Sequence, residues 1–193
     1  ESYNAYKPEP LIRIETLAPR KLHSLQGKTC VTIILQHVPF VIDSLISFLA
    51  REGYLLQTIL HPILKPIRDA SHKITGFHAT AAQQPEELLI YMELNEQITE
   101  EESQRLKEKI LSILQDIHCA VQDWGKMRHQ VNEALFDLDK GYSHFETTEK
   151  KEIQGLLQWL DRGYFTFLGY RDYDQDGKKG ELLGILRNKE APL

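Results

Sequence analysis

The 193 residues are 41% hydrophobic and 26% charged, with 23 basic and 28 acidic residues giving a net charge of −5. A chain of this size buries roughly 70% of its extended surface, enough for one generous core or for a core and a smaller unit. The acidic balance excludes an electrostatic nucleic-acid groove, no apolar run approaches the ~18 residues of a membrane span, and Cys30 and Cys119, without metal-type spacing, point to a reduced, cytoplasmic setting.

Residues 1–28 are polar, carry Pro8, Pro10 and Pro19, and read as an extended lead-in around the alternating Leu11-Ile12-Arg13-Ile14. Thr29 to Leu35 is β-branched and apolar on both sides, as a central strand is. At Pro39 the period changes. Val41, Leu45, Phe48 and Leu49 fall on one face of a helix, Pro39 suits its first turn, and Gly53 is placed to end it in the left-handed conformation. Tyr54 to Ile67 is strand-like again, but Pro62 and Pro66 each remove a ladder donor and confine it to a sheet edge.

Asp69 to Pro85, with Gly76, is a long connection, and Glu87–Leu94 the third strand. Thr99 and Glu102 form a capping box, after which Leu106, Ile110, Leu114, Ile117 and Val121 keep a helical register. Ile117–Val121 also suits a fourth strand, and periodicity alone leaves 115–122 as helix or strand.

The order is that of an α+β fold, an ACT or ferredoxin-like βαββαβ domain over 29–122, with helices on one sheet face and the other left for solvent or a partner. Met127, Val131, Leu135 and Leu138 mark a third helix in a helical linker over 123–163, which Lys140-Gly141-Tyr142-Ser143 breaks as a boundary. A fourth helix from Thr148 shows Ile153, Leu156, Leu157 and Leu160 on one face and ends at Gly163. Phe165–Tyr173 and Glu181–Arg187 flank Asp174-Gln175-Asp176-Gly177 as a hairpin, so 164–193 reads as the start of a second, truncated domain. Glu1 at one end and Ala191-Pro192-Leu193 at the other suggest a segment of a longer protein.

No GxGxxG, GxxxxGK[ST], GxSxG, HExxH or CxxC occurs. The strand-to-helix turn Gln36-His37-Val38-Pro39-Phe40, with Asp43 one turn into the helix, is the site candidate, because free N–H groups point outward there. It lacks the glycine a dinucleotide needs, so no NAD is expected at it. Phe40 stands where ACT-type turns commonly carry a glycine, and its ring is expected to plug the niche. Effector binding at this turn therefore competes with a packed or protein-facing role. A metal triad of His37, Asp43 and His61 has no spacing that forces convergence. Arg68-Asp69 is expected to clamp the loop as exposed charges, Lys178-Lys179 is a solvated turn, Trp124 and Trp159 are core or interface anchors, and Tyr164–Phe167 is a packed aromatic strand.

Four phrases in one order resemble a single family: Val38-Pro39-Phe40-Val41-Ile42-Asp43-Ser44; His61-Pro62-Ile63-Leu64 with Arg68-Asp69; Asp123-Trp124 before Met127; and Leu157-Gln158-Trp159-Leu160 followed by Phe165–Tyr173. They are similar to the N-terminal region of the large bacterial NAD-specific glutamate dehydrogenases. The chain departs from that pattern at His37-Val38, where an acidic residue and methionine are usual, and in a longer loop, Ala70–Gly76. The resemblance implies a parent that oxidises L-glutamate to 2-oxoglutarate and ammonia with NAD in a distant C-terminal domain. It implies that this segment has no catalytic, cofactor or metal site and serves regulation or assembly of a homo-oligomer. Its partners would be other domains and subunits of the enzyme and an amino-acid effector; a module that binds other proteins and no small molecule is the alternative.

Overall fold

A computed structural model describes residues 9–16, 27–71, 73–77, 86–141, 146–173, 176–177 and 179–187. Pro8, Pro19, residues 78–85 of the long connection, Tyr142-Ser143 of the expected boundary, Asp174-Gln175 of the hairpin turn, Lys178 and the last three residues lie outside them. The chain divides into two compact units, Glu1–Gln115 and Asp116–Leu193.

The first unit is built on an antiparallel sheet of β1 (Leu11–Thr16), β2 (Thr29–Gln36), β3 (Leu56–Leu60), β4 (Ile63–Leu64) and β7 (Glu87–Leu94). Its order is β1-β2-β7-β3, with β4 also on β7. Between β4 and β7 a separate two-stranded hairpin forms from β5 (Pro66–Arg68) and β6 (Ile74–Phe77). Pairing aligns Thr29, Val31 and Ile33 of β2 with Leu94, Met92 and Ile90 of β7, and Ile12 of β1 with Ile33. All of these are buried, so one face is continuous core. Helix α1 (Val41–Arg51) buries Val41, Leu45, Phe48 and Leu49, the stripe its spacing predicts, and α2 begins at Glu100 and buries Leu106, Ile110 and Leu114. Each such side chain contributes about 1.5–3 kcal/mol of transfer free energy. Thr29 is a polar member of the core. Its hydroxyl accepts the Ile98 N–H at 3.2 Å, which closes the turn after β7.

Both ends of α1 follow from local chemistry. Gly53 sits at φ 86 just past the last turn, donates to the Ala50 carbonyl, and is followed by a Tyr54 N–H bond to Leu49 at 2.9 Å. Pro39 lies just outside the helix, which starts at Val41. Thr99 and Glu102 cap α2 reciprocally: the Glu102 N–H donates to the Thr99 hydroxyl at 3.2 Å and the Thr99 N–H to the Glu102 carboxylate at 2.8 Å. Hydrogen bonding to Thr99 holds that carboxyl below the usual range.

Two expectations about the sheet and the helices are corrected. The βαββαβ order required a strand after the second helix, but α2 is one helix from Glu100 to Asp139, with 115–122 helical and no break at 123. One continuous helical register from Leu106 through Leu138 outweighs both the strand-compatible alternation at 117–121 and the glycine at position 125, whose cost inside a helix is only about 1 kcal/mol. The edge beside β2 is filled instead by β1, so the residues read as a lead-in supply a strand. β7 sits between β2 and β3, which keeps the split βαβ arrangement in the sheet. The Pro-limited strand lies at the opposite edge, as expected, with a bulge between Leu56 and Thr58.

The second unit contains the rest of α2, α3 (Thr147–Trp159), a wide turn Leu160–Tyr164 with Gly163 at φ 85, and the antiparallel hairpin β8 (Gly169–Tyr173) and β9 (Lys179–Gly184). Trp124 and Trp159 are 44% and 46% exposed and are not core. Tyr164 to Phe167 precedes β8 and is not a strand, and Tyr164 and Phe165 are exposed. Arg128 lies over the Trp124 ring and pairs with Asp161 at 2.7 Å, while Trp159 and Tyr164 stack. These rings are thus held by polar and stacking partners rather than by burial. Among the described residues no helix is long and apolar enough to cross a membrane.

Candidate functional site

The turn from Gln36 to Phe40 is fixed at one end by the last pair of the β2–β7 ladder, Gln36 opposite Glu87, and by the His37 N–H bonded to the Glu86 carbonyl at 2.8 Å. At its other end Phe40 caps α1 at φ 70, the left-handed region that glycine favours, with no side-chain cap. A non-glycine residue there costs roughly 1–2 kcal/mol. Phe40 thus adopts the backbone conformation that glycine favours, at the position where ACT-type turns carry one. The expectation that the ring plugs the niche is corrected, since it is 52% exposed and presented outward. Asp43 is exposed in the first turn of α1, where its charge faces the positive helix end. Val38 is half-buried and Pro39 exposed.

Charges from β7 and the β4–β5 segment flank this turn. Glu86 is bonded by Lys65 at 3.0 Å and approached by His37 Nδ1 at 3.3 Å. Lys65 above all, and His37 after it, hold the Glu86 carboxyl below its ordinary range. Next to it, Arg68 Nη2 donates to both oxygens of Glu87 at 2.7 and 2.9 Å, with side chains only 12% and 10% exposed. That corrects the reading of Arg68-Asp69 as two exposed charges: Arg68 is a largely covered partner of β7. Asp69 does the clamping alone, accepting the Ser71 and Lys73 N–H groups at 2.9 and 3.0 Å. Sequence reading missed Lys65, Glu86 and Glu87 as neighbours of the turn, because their meeting depends on the hairpin between them.

On the sheet face opposite the core, Cys30 Sγ lies 3.2 Å from Tyr91 Oη, and Tyr91 donates to Glu93 at 3.0 Å. Either the thiol or the phenol can be the donor between them. Burial raises the Cys30 pKa, and the bond to Cys30, then burial and Glu93, raise that of Tyr91. A thiol kept protonated is a poor nucleophile; the row pairs polar groups across strands. The signal for it was the period of two, which puts Cys30, Thr32, Tyr91 and Glu93 opposite the core face. His61 is exposed on the β3–β4 segment, and no three His, Cys, Asp or Glu side chains gather as a metal cluster among the described residues.

The family described as "Glutamate dehydrogenase, ACT1 domain" matches residues 4–110. That span contains β1, the turn and the whole paired sheet. The NAD-specific glutamate dehydrogenase of Halomonas elongata is 28% identical over 167 residues, 84% of this chain and 10% of its own length. That of Pseudomonas aeruginosa is 29% identical over 170 residues, 86% of this chain and 10% of its own length. The chain therefore spans about a tenth of these relatives.

Proposed function

The chain belongs to the glutamate dehydrogenase ACT1 domain family, and from that premise we propose that it is a non-catalytic regulatory and assembly region of a large NAD-dependent glutamate dehydrogenase. The parent would oxidise L-glutamate to 2-oxoglutarate and ammonia, with NAD held in a domain beyond this chain. Its partners would be other domains and subunits of the same enzyme. The observation that carries this reading is the family match over 4–110, which falls on a sheet with one continuous core face and a row of polar groups on the other. An ACT-like module with polar groups on its second sheet face and a strained turn carrying an exposed Phe40 is equipped to bind another surface or a small effector.

The turn Gln36–Phe40 with Asp43 is the proposed point of effector or interface contact. Its free helix-start N–H groups suit a carboxylate, and the exposed Asp43 supplies negative charge for an ammonium group. An effector there acts only by binding one subunit arrangement more tightly than another. Titration calorimetry of the chain with L-glutamate, L-aspartate and neutral amino acids is expected to give saturable heat for at least one of them, reduced in Asp43→Ala. Absence of heat at millimolar ligand would favour the second reading, a module that binds protein surfaces only; the exposed Phe40 ring is the observation on its side.

A further inference from the structure

The two edges of the first unit's sheet differ in how they meet solvent. At the β3 edge the ladder is broken by the bulge between Leu56 and Thr58, by Pro62 and by the switch to β4. Bulges and prolines are the devices that keep a strand edge from recruiting another strand. β1 has neither. It pairs with β2 over six consecutive residues, Leu11 to Thr16, in unbroken register, and its outer side has no strand beside it among the described residues.

We propose that β1 is the edge through which two copies of this chain associate, antiparallel about a two-fold axis at Ile14. The inference rests on the assembly reading above and names its surface. The occupant follows from charge. Arg13 and Glu15 project from the face opposite the core, bonded to each other at 2.8 Å and 61% and 51% exposed. An axis through Ile14 sets Arg13 of one copy opposite Glu15 of the other, and the reverse pair equally, so one patch is its own complement. The same axis brings the two half-buried Ile14 side chains together at the rim of the core face, where Ile14 is aligned with buried Val31. An unrelated partner strand would have no reason to match this sequence. A copy of the chain matches it by symmetry.

Sedimentation velocity over a concentration series tests this on the 193-residue chain and on three exposed-site variants. The parent is expected to form a concentration-dependent dimer. Arg13→Glu alone, or Glu15→Arg alone, should weaken it by about tenfold, because both cross-strand pairs turn repulsive together. The double exchange R13E/E15R restores opposite charges and should return the parent's dissociation constant. An equimolar mixture of the two single variants should form a heterodimer about tenfold tighter than either variant's homodimer. Matching circular dichroism of all variants establishes that each is folded. A dimer indifferent to these exchanges would overturn the β1 edge while leaving an assembly role standing. A chain monomeric at every concentration would overturn the inference and remove self-association from the assembly reading, leaving the effector titration to decide the rest.

Discussion

Replacing Glu87 with alanine should destabilise the first unit by about 3–5 kcal/mol, the usual loss when one member of a buried ion pair is removed. Glu87 opens β7 at the sheet end that carries the turn, and its carboxylate takes two bonds from Arg68, the last residue of β5. Both side chains are almost fully covered. Without the carboxylate, the guanidinium keeps its desolvation cost and loses its strongest compensation. The double change Glu87→Leu with Arg68→Met removes both charges and should recover most of the loss, since a buried pair and a well-packed apolar pair of similar volume are often close in free energy. Amide exchange along β7, followed in urea, reads this unit directly. Both tryptophans, Trp124 and Trp159, lie in the other unit and would not report it.

Asp123→Ala should cost the second unit about 2–4 kcal/mol, because it strands a buried N–H as well as an ion-pair partner. The Asp123 side chain is 2% exposed and its Oδ2 accepts the Gly184 N–H and Arg187 Nη1, each at 2.9 Å. Gly184 cannot be exchanged for a larger residue, for it sits at φ 63 and a Cβ there would run into the Leu168 carbonyl oxygen. Burial pushes the Asp123 carboxyl up, but the Gly184 N–H and the Arg187 guanidinium outweigh it and hold it below its ordinary range. The folded-state pKa is thus lower than the unfolded one, near 3.9. The carboxylate's contribution is present in full above that unfolded value and fades as pH falls through the folded one. The difference between parent and Asp123→Ala, measured by tryptophan fluorescence in urea, should therefore be constant from neutrality to about pH 5 and shrink below about pH 4. A difference that grew on acidification would contradict the assignment.

Much of the first unit could be read from residues alone, because its elements announce themselves locally. Val41, Leu45, Phe48 and Leu49 state a helix face, Thr99 and Glu102 a cap, and Pro62 and Pro66 an edge. What was illegible depended on long-range pairing. Nothing local in Leu11–Thr16 says that it joins β2 across the intervening residues, so the fourth position in the sheet was sought after the second helix. Residues 117–121 satisfy helix and strand periods together, and only the helix on either side decides between them. The turn was located by type, through Phe40 in a glycine's place, but its charges were not. Glu86 and Glu87 look like a solvated acidic pair until the hairpin carries Lys65 and Arg68 to them. In the second unit a helical stripe was taken for burial, although Trp124 and Trp159 rest on Arg128 and Tyr164 at the surface.

The claim that this region governs assembly and response rather than chemistry is tested most directly in a full-length dehydrogenase that carries it. Its first unit has its own core and sheet, so the enzyme can be compared with a form lacking that unit, by glutamate-dependent NADH formation per polypeptide alongside solution mass and circular dichroism. The expected result is an unchanged kcat with an altered oligomer mass or amino-acid response. A kcat lower by about a hundredfold or more, the scale of one lost acid–base group, in a shortened enzyme that keeps its fold and mass, would contradict the account.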